Sequence, residues 1–302
     1  MFYGIEESEK WSKIDKINKG WSNDIKYYIE TEDNQKLVLR ISSIDKYEEK
    51  KKEYEVICKY SKLGFEMSKP ISFGICNNEK NTYILLSWVE GEDLEVALPK
   101  LEEIEQYRLG KEAGSILRKI HNIKVPTDKI PRGTKIPRKK EQIQRYINSK
   151  VRIPEDEVAL DFINNNINKI WSTAPVYQHG DFHPGNLILT PDKKIGVIDF
   201  NRWEIGDPYE EFYKLESFGT EVSIPYCIGE IHGYFNGEVP DKFWDILAVY
   251  VAHASLFSIK WAEKFGQSDV EHMIKICKKS FKHYDNFNRR IPSWYIDYEK
   301  NK

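Results

Sequence analysis

The sequence predicts an α+β protein of two lobes, a small β-rich N-lobe followed by a larger, mostly helical C-lobe. Three observations lead there. The 302 residues suffice for roughly two compact lobes. Short apolar alternations separated by turn residues recur up to residue 87, with one helical stretch among them. After Gly91 the apolar spacing lengthens to the helical period. The predicted division is 1–87 and 88–302, with a hinge at about 87–91.

Taken in order, residues 1–19 are polar with scattered apolar positions and suit a first short helix or strand. Residues 17–29 place turn residues between apolar alternations, which predicts a hairpin with its tip at residues 20–24. Lys36-Leu37-Val38-Leu39-Arg40-Ile41 alternates as a strand. Residues 47–63 form a charged helix whose apolar face includes Tyr54, Ile57, Cys58 and Leu63, and Gly64 ends it. Residues 70–76 and 81–87 are two further strands around an Asn77-Asn78 turn. The unbroken Thr82-Tyr83-Ile84-Leu85-Leu86 marks a buried strand.

Beyond the hinge, Asp93 can cap a short helix. Residues 101–121 carry apolar side chains at Ile104, Tyr107, Leu109, Ala113, Ile116, Leu117 and Ile120, close to a 3.6 period, and close on a packed or capping His121. Residues 124–140 hold three prolines, with Lys129, Arg132, Lys135, Arg138, Lys139 and Lys140 among their basic residues, and read as a solvated basic loop. Helices are expected at 141–149, 155–171, 243–265 and 270–284.

Composition narrows the function. A net charge of −2 gives no global sign of nucleic-acid binding. The four cysteines, Cys58, Cys76, Cys227 and Cys277, are far apart and read as reduced, mostly buried thiols. The N-terminus lacks the basic and apolar regions of a signal peptide, and there is no run of about 18 apolar residues. The expectation is a cytoplasmic monomer without membrane attachment.

The chemistry is concentrated in residues 179–200. His179, Asp181, His183 and Asn186 crowd around Pro184 and Gly185, which predicts a tight loop. Leu187-Ile188-Leu189, a turn at Pro191-Asp192, and Ile195-Gly196-Val197-Ile198 ending on Asp199 then form a hairpin. Such a hairpin brings Asp181, Asn186 and Asp199 together. One carboxylate is then available to accept a proton, and an amide oxygen and a second carboxylate remain as hard ligands for Mg²⁺. A plain surface turn does not need the second Asp after a buried strand. A zinc site on His179-x-Asp181-x-His183 finds no further His or Cys nearby to complete it. The set matches the phosphoryl-transfer arrangement, with an Asp facing the attacking hydroxyl and an Asn and an Asp holding metal on the nucleotide phosphates.

His-x-Asp-x-x-x-x-Asn followed by Ile-Asp-Phe resembles the aminoglycoside phosphotransferase family, relatives of protein kinases. Gly180 stands where protein kinases usually have Arg, as is common in antibiotic and small-metabolite kinases. The resemblance implies a protein-kinase-like fold. It implies that Asp181 is the catalytic base and that Asn186 and Asp199 bind Mg²⁺. ATP or GTP is the implied phosphoryl donor. Along the N-lobe it implies a phosphate-covering loop at Gly20 and Ser22, and a basic strand residue at Arg40 gripping the phosphates. Glu53 on the following helix would pair with Arg40, Glu49 being the alternative one turn earlier. Ser87 and Val89 would read the purine edge through their backbone.

The acceptor is implied to be a small molecule rather than a protein, since no Ala-Pro-Glu motif follows Asp199. Gly206-Asp207-Pro208 matches the family's recurrent turn, whereas Tyr209-Glu210-Glu211-Phe212-Tyr213 departs from its Asp-Leu-Ala type helix start and leaves the substrate open. Residues 201–245 contain ten acidic residues against three basic ones, a net −7. In the family this segment lines the acceptor cleft. Glu204, Asp207, Glu210 and Glu211 are therefore expected to attract a cationic acceptor, with aminoglycosides first and a macrolide, choline or methylthio-sugar as alternatives. A catalytically inactive binding module requires loss of Asp181, Asn186 or Asp199, and all three are present.

Overall fold

The computed structural model describes residues 2–18 and 24–300. Its contacts divide the chain into two compact units, Met1–Asp93 with Asn186–Trp203, and Leu94–Gly185 with Glu204–Lys302.

The first unit is built on strands β1 (Trp11–Ile17), β2 (Ile25–Thr31) and β3 (Lys36–Ser43), helix α1 (Tyr47–Tyr60), and strands β4 (Glu66–Met67), β5 (Pro70–Cys76), β6 (Asn81–Ser87) and β7 (Glu92–Asp93). Five of these strands form an antiparallel sheet in the order β1-β2-β3-β6-β5. Leu37, Leu39 and Ile41 alternate along β3 and join Ile29 and Leu85 in one apolar cluster, with Phe2, Trp11 and Tyr27 packed on it. Arg40 is out of phase with that set and faces the other way. Helix α1 packs against β5 and β6. A 3-10 turn follows it, and Gly64 caps the turn in the left-handed region, with φ 74°.

Strand β8 (Val176–Gln178) belongs to the second unit, but β9 (Leu187–Leu189) and β10 (Ile195–Val197) return to the first. They form the expected hairpin and make a second sheet in the order β4-β10-β9-β7, with β4 parallel to β10. Hence residues 186–203 belong with the N-terminal residues, and the division falls after Asp93. The sequence boundary at 87–88 is corrected because β4 and β7 are two-residue strands that pair with a hairpin a hundred residues away, which leaves no local pattern. Gly91, at φ 140°, lets β7 approach; a Cβ there would stand 2.2 Å from the Leu189 carbonyl oxygen.

The second unit is mostly helical: α2 (Leu94–Ala97), α3 (Glu103–His121), α4 (Ile136–Ile147), α5 (Glu157–Asn166), α6 (Thr220–Val222), α7 (Ile224–Phe235), α8 (Asp241–Ala262), α9 (Gln267–His283) and α10 (Ser293–Lys300). Its one ribbon pairs β8 with β11 (Glu204–Gly206). Helices α3 and α7 touch backbone to backbone. A Cβ on Gly114 would lie 1.9 Å from the Glu230 carbonyl oxygen, so only glycine fits that crossing. Helix α8 is long and apolar enough to cross a membrane, but 78% of that stretch is buried within the protein. It packs against α4, α5 and α9 as a core helix. The basic segment 124–140 is not all loop. Pro137 sits in the first turn of α4, where its missing N–H costs nothing, and the helix starts at Ile136. Cys76, Cys227 and Cys277 are buried and Cys58 half-buried.

Candidate active site

In the first unit, strand alternation turns Arg40 away from the apolar cluster, and burial leaves it only 5% exposed. Its guanidinium is forked between two carboxylates, Nη1 donating to Glu53 Oε1 at 2.5 Å and Nη2 to Asp24 Oδ2 at 2.6 Å. Lys50 Nζ donates to Asp24 Oδ2 at 2.7 Å and to Glu53 Oε2 at 3.0 Å. Two buried cations thus meet two buried anions. Burial pushes the Asp24 carboxyl up, but Arg40 and Lys50 outweigh it and hold it well below the carboxylate range. Burial likewise works against the Arg40 charge, and Glu53, Asp199 and Asp24 outweigh it. Glu53 is therefore the α1 partner of Arg40, and Glu49 is exposed. Asp24 and Lys50 completed the cluster without a sequence signal beyond their charge. Lys50 is one turn before Glu53, a spacing that in hindsight places both on one face.

Asn186 and Asp199 are brought together at the open end of the β9–β10 hairpin, where Ile198 N–H donates to Asn186 O at 3.1 Å. Asp199 itself has φ 63°, a left-handed conformation that a non-glycine residue adopts at a cost. Its Oδ2 accepts from Lys26 Nζ at 3.2 Å. Its Oδ1 is buried with no hydrogen-bond partner among the described residues. A buried carboxylate oxygen left unsatisfied is expensive unless something else binds it. Together with the Asn186 amide it suits a hard cation such as Mg²⁺. Among the described residues no group of three or more His, Cys, Asp or Glu side chains could hold a metal ion. Mg²⁺ does not need one, since it is usually held by one or two protein oxygens, water and substrate phosphates.

Ser87 closes β6 opposite Leu37, its Oγ accepting from Lys69 N at 2.8 Å. Trp88 follows, set edge-on to Tyr28, and then the buried Val89, packed where Gly196 leaves room. Gly20 and Ser22 lie outside the described residues.

In the second unit, β8 leads into the loop that carries Asp181. His179 is fully buried, and its Nδ1 accepts from Asp181 N at 3.2 Å. It is thus a ring that shapes the loop. His183 does the same for Gly185 N, at 3.2 Å. Gly180 has φ 80° and is gripped on both sides. Its N–H donates to Glu211 Oε1 at 2.7 Å, and its carbonyl accepts from Lys214 Nζ at 3.2 Å. Lys214 also forms an ion pair with Asp181 Oδ1. Burial raises the Glu211 carboxyl to about 7, opposed by the Gly180 N–H and by Lys214. Glu211 and Lys214 were missed as organisers of this loop. The signal available was their spacing of three after Gly206-Asp207-Pro208, which puts both on one side of a helical turn.

The four acids expected to face the acceptor have partners inside this unit. Asp207 is wholly buried and caps the turn that follows it. It accepts from Trp171 N at 2.6 Å, Tyr209 N at 3.1 Å, Tyr250 Oη at 3.0 Å and Thr173 Oγ1 at 3.2 Å. Glu211 is spent on Gly180. Glu210 pairs with Lys139 at 2.5 Å, and Glu204 pairs with Lys135. The expectation of an open acidic field is corrected on this point. Summing charge along residues 201–245 misses Lys135 and Lys139, the cations that the segment at the start of α4 brings to them.

A model of the phosphotransferase enzyme family, APH, matches residues 13–244. The chain belongs to this family. It is a phosphotransferase whose acceptor is an alcohol group. No curated protein matches the chain. Solved structures of similar fold include the GDP complex of wild-type aminoglycoside 2'-phosphotransferase-IIIa, at 14% identity over 90% of this chain and 93% of that one, with a TM-score of 0.68. Amicoumacin kinase hAmiN, in complex with AMP-PNP, Ca²⁺ and Ami, is similar at 12% identity over 96% and 92%, TM-score 0.67. Spectinomycin phosphotransferase APH(9)-Ia, with ADP and spectinomycin, is similar at 15% identity over 93% and 94%, TM-score 0.65. At these identities the likeness shows the fold, the two-lobe protein-kinase-like architecture that the resemblance implied.

Proposed function

We propose that this phosphotransferase moves the γ-phosphoryl group of ATP or GTP to a hydroxyl of a small molecule, with Mg²⁺. The observation that carries the reading is the buried Oδ1 of Asp199, without a hydrogen-bond partner among the described residues, beside Asn186 at the hairpin end. These two residues would hold Mg²⁺, whose charge offsets that of the phosphates. Arg40, fixed by Glu53, supports the phosphates from β3. Asp181 orients the acceptor hydroxyl and takes its proton as the new O–P bond forms and the bond to the bridging oxygen breaks. The proton then resides on Asp181 and the electron pair leaves with the nucleoside diphosphate.

An aminoglycoside is our first choice of acceptor. It is supported by family membership and by the similar folds that are named for aminoglycosides. The internal pairing of Glu204, Asp207, Glu210 and Glu211 favours a second reading, a hydroxylated acceptor with less positive charge, such as a macrolide. Nucleoside diphosphate release with Mg²⁺ over a panel of aminoglycosides, macrolides and choline separates these, with mass spectrometry of the phosphorylated product. Turnover on an aminoglycoside supports the first reading, and turnover on neutral acceptors alone supports the second. Release that no acceptor stimulates counts against both.

A further inference from the structure

We infer that Lys214 is a positioning residue for the transfer reaction, holding the Asp181 carboxylate in the orientation that meets the acceptor hydroxyl. The inference rests on the reading of Asp181 as the group that receives the hydroxyl proton.

Lys214 is 2% exposed. An ammonium buried to that degree is costly unless its partners compensate. Two of its partners are consecutive in the chain. Nζ bonds the Gly180 carbonyl at 3.2 Å and forms an ion pair with Asp181 Oδ1, two consecutive residues of the same loop. One side chain therefore fixes both the backbone that carries Asp181 and the carboxylate itself. Nζ also stands over the neighbouring Tyr213 ring, 5.3 Å from its centroid. Glu211, three residues earlier on the same turn, takes the Gly180 N–H at 2.7 Å. The Gly180 residue is thus clamped at N–H and C=O from one turn of chain.

Asp181 keeps some exposure, with 16% of its side-chain surface accessible against 3% for Lys214. The carboxylate can meet a substrate while the ammonium behind it stays covered. A base held loosely or in the wrong rotamer loses much of its value, since a displacement of about 1 Å can cost roughly 10²-fold in rate.

The test is a double-mutant cycle read by ADP release from Mg-ATP, with water or a panel of aminoglycosides as acceptor. Lys214→Met is expected to lower kcat by roughly 10²-fold with little change in the KM for ATP. Lys214→Arg, which keeps the charge, should restore part of kcat. Asp181→Asn combined with Lys214→Met should be no slower than Asp181→Asn alone, because the lysine acts through the carboxylate. Additive losses in the cycle, or a normal kcat in Lys214→Met, overturn the inference. If Asp181→Asn itself turns over normally, the reading of Asp181 fails instead. Thermal unfolding accompanies each variant. Should Lys214→Met not fold, Lys214→Gln, which keeps a donor in similar volume, takes its place in the cycle under the same criteria.

Discussion

Arg40 Nη1 lies 2.5 Å from Glu53 Oε1, and the same guanidinium reaches Asp24 with its other arm at 2.6 Å. The strand residue is therefore fixed from two directions before any phosphate arrives. The guanidinium does this with two separate N–H arms held in one plane, a geometry an ammonium does not reproduce, while Lys50 bridges the same two carboxylates through its single nitrogen. Arg40→Ala leaves the buried carboxylates of Asp24 and Glu53 to share the Lys50 cation. We expect a loss of about 3–5 kcal/mol in stability, as for a broken buried pair, together with most of the activity. Arg40→Lys should keep partial activity. Urea unfolding and the nucleotide KM report the two effects separately, and a stable, active Arg40→Ala protein removes Arg40 from the phosphate site.

Asp199 offers one oxygen to Lys26 and leaves the other buried without a partner among the described residues. If that oxygen binds metal, Asp199→Asn keeps the shape and loses the charge. The Mg²⁺ concentration for half-maximal turnover should then rise by at least roughly 10–100-fold, as for weakened metal sites generally. Lys26→Met should not raise it, since the lysine competes for the same carboxylate. A Mg²⁺ titration of the two variants decides, and an unchanged midpoint in Asp199→Asn moves the metal elsewhere.

Much of this was legible in the chain. The β9–β10 hairpin was readable because turn residues and apolar runs within twenty residues specify it. Arg40 and Glu53 were named from the family resemblance, on a strand and a helix whose own patterns are local enough to read. What escaped was long-range. Asp24 and Lys50 look like surface charges until β3 and α1 bring them together. Lys214 looks like any helical lysine until the Asp181 loop folds onto it. The pairing of Glu204 and Glu210 was not foreseen because a charge count along residues 201–245 cannot see Lys135 and Lys139. The unit boundary was misplaced because β4 and β7 are too short to show a period.

Glu230 gives a pH prediction. It is 1% exposed on α7, and burial raises its carboxyl to about 8, partly offset by the nearby Tyr226 hydroxyl. Between its ordinary value of 4.5 and about 8 the folded chain binds more protons there than the unfolded chain. Stability from this group is therefore complete below about pH 4.5 and is lost as pH rises through about 8. Glu230→Gln removes the titration. Its melting temperature should exceed that of the wild type above pH 8 and match it in acid. Equal pH slopes for the two proteins would show that Glu230 is not the group responsible.

The last prediction separates a structural from an acceptor-binding role for Glu210. Its carboxylate pairs with Lys139 at 2.5 Å, and each side chain is 13% exposed. Burial raises the Glu210 carboxyl, but Lys139 outweighs it and the net shift is downward. The pair therefore contributes stability that is present above the ordinary carboxyl value and is lost as pH falls through the lower, folded value. Glu210→Gln should lower the melting temperature at neutral pH, because Lys139 is left nearly buried without its partner, at a cost of about 1–3 kcal/mol. The deficit should vanish in acid. The KM of a cationic acceptor should stay within a factor of about two of wild type, since the carboxylate is already committed; that tolerance corresponds to roughly 0.4 kcal/mol. A role in the acceptor cleft gives the opposite pattern. The acceptor KM would then rise steeply in Glu210→Gln and, for wild type, with added salt, because exposed charges are screened over about 8–10 Å. Measuring the melting temperature and the acceptor KM on the same variant therefore assigns Glu210 to the α4 interface or to the acceptor cleft.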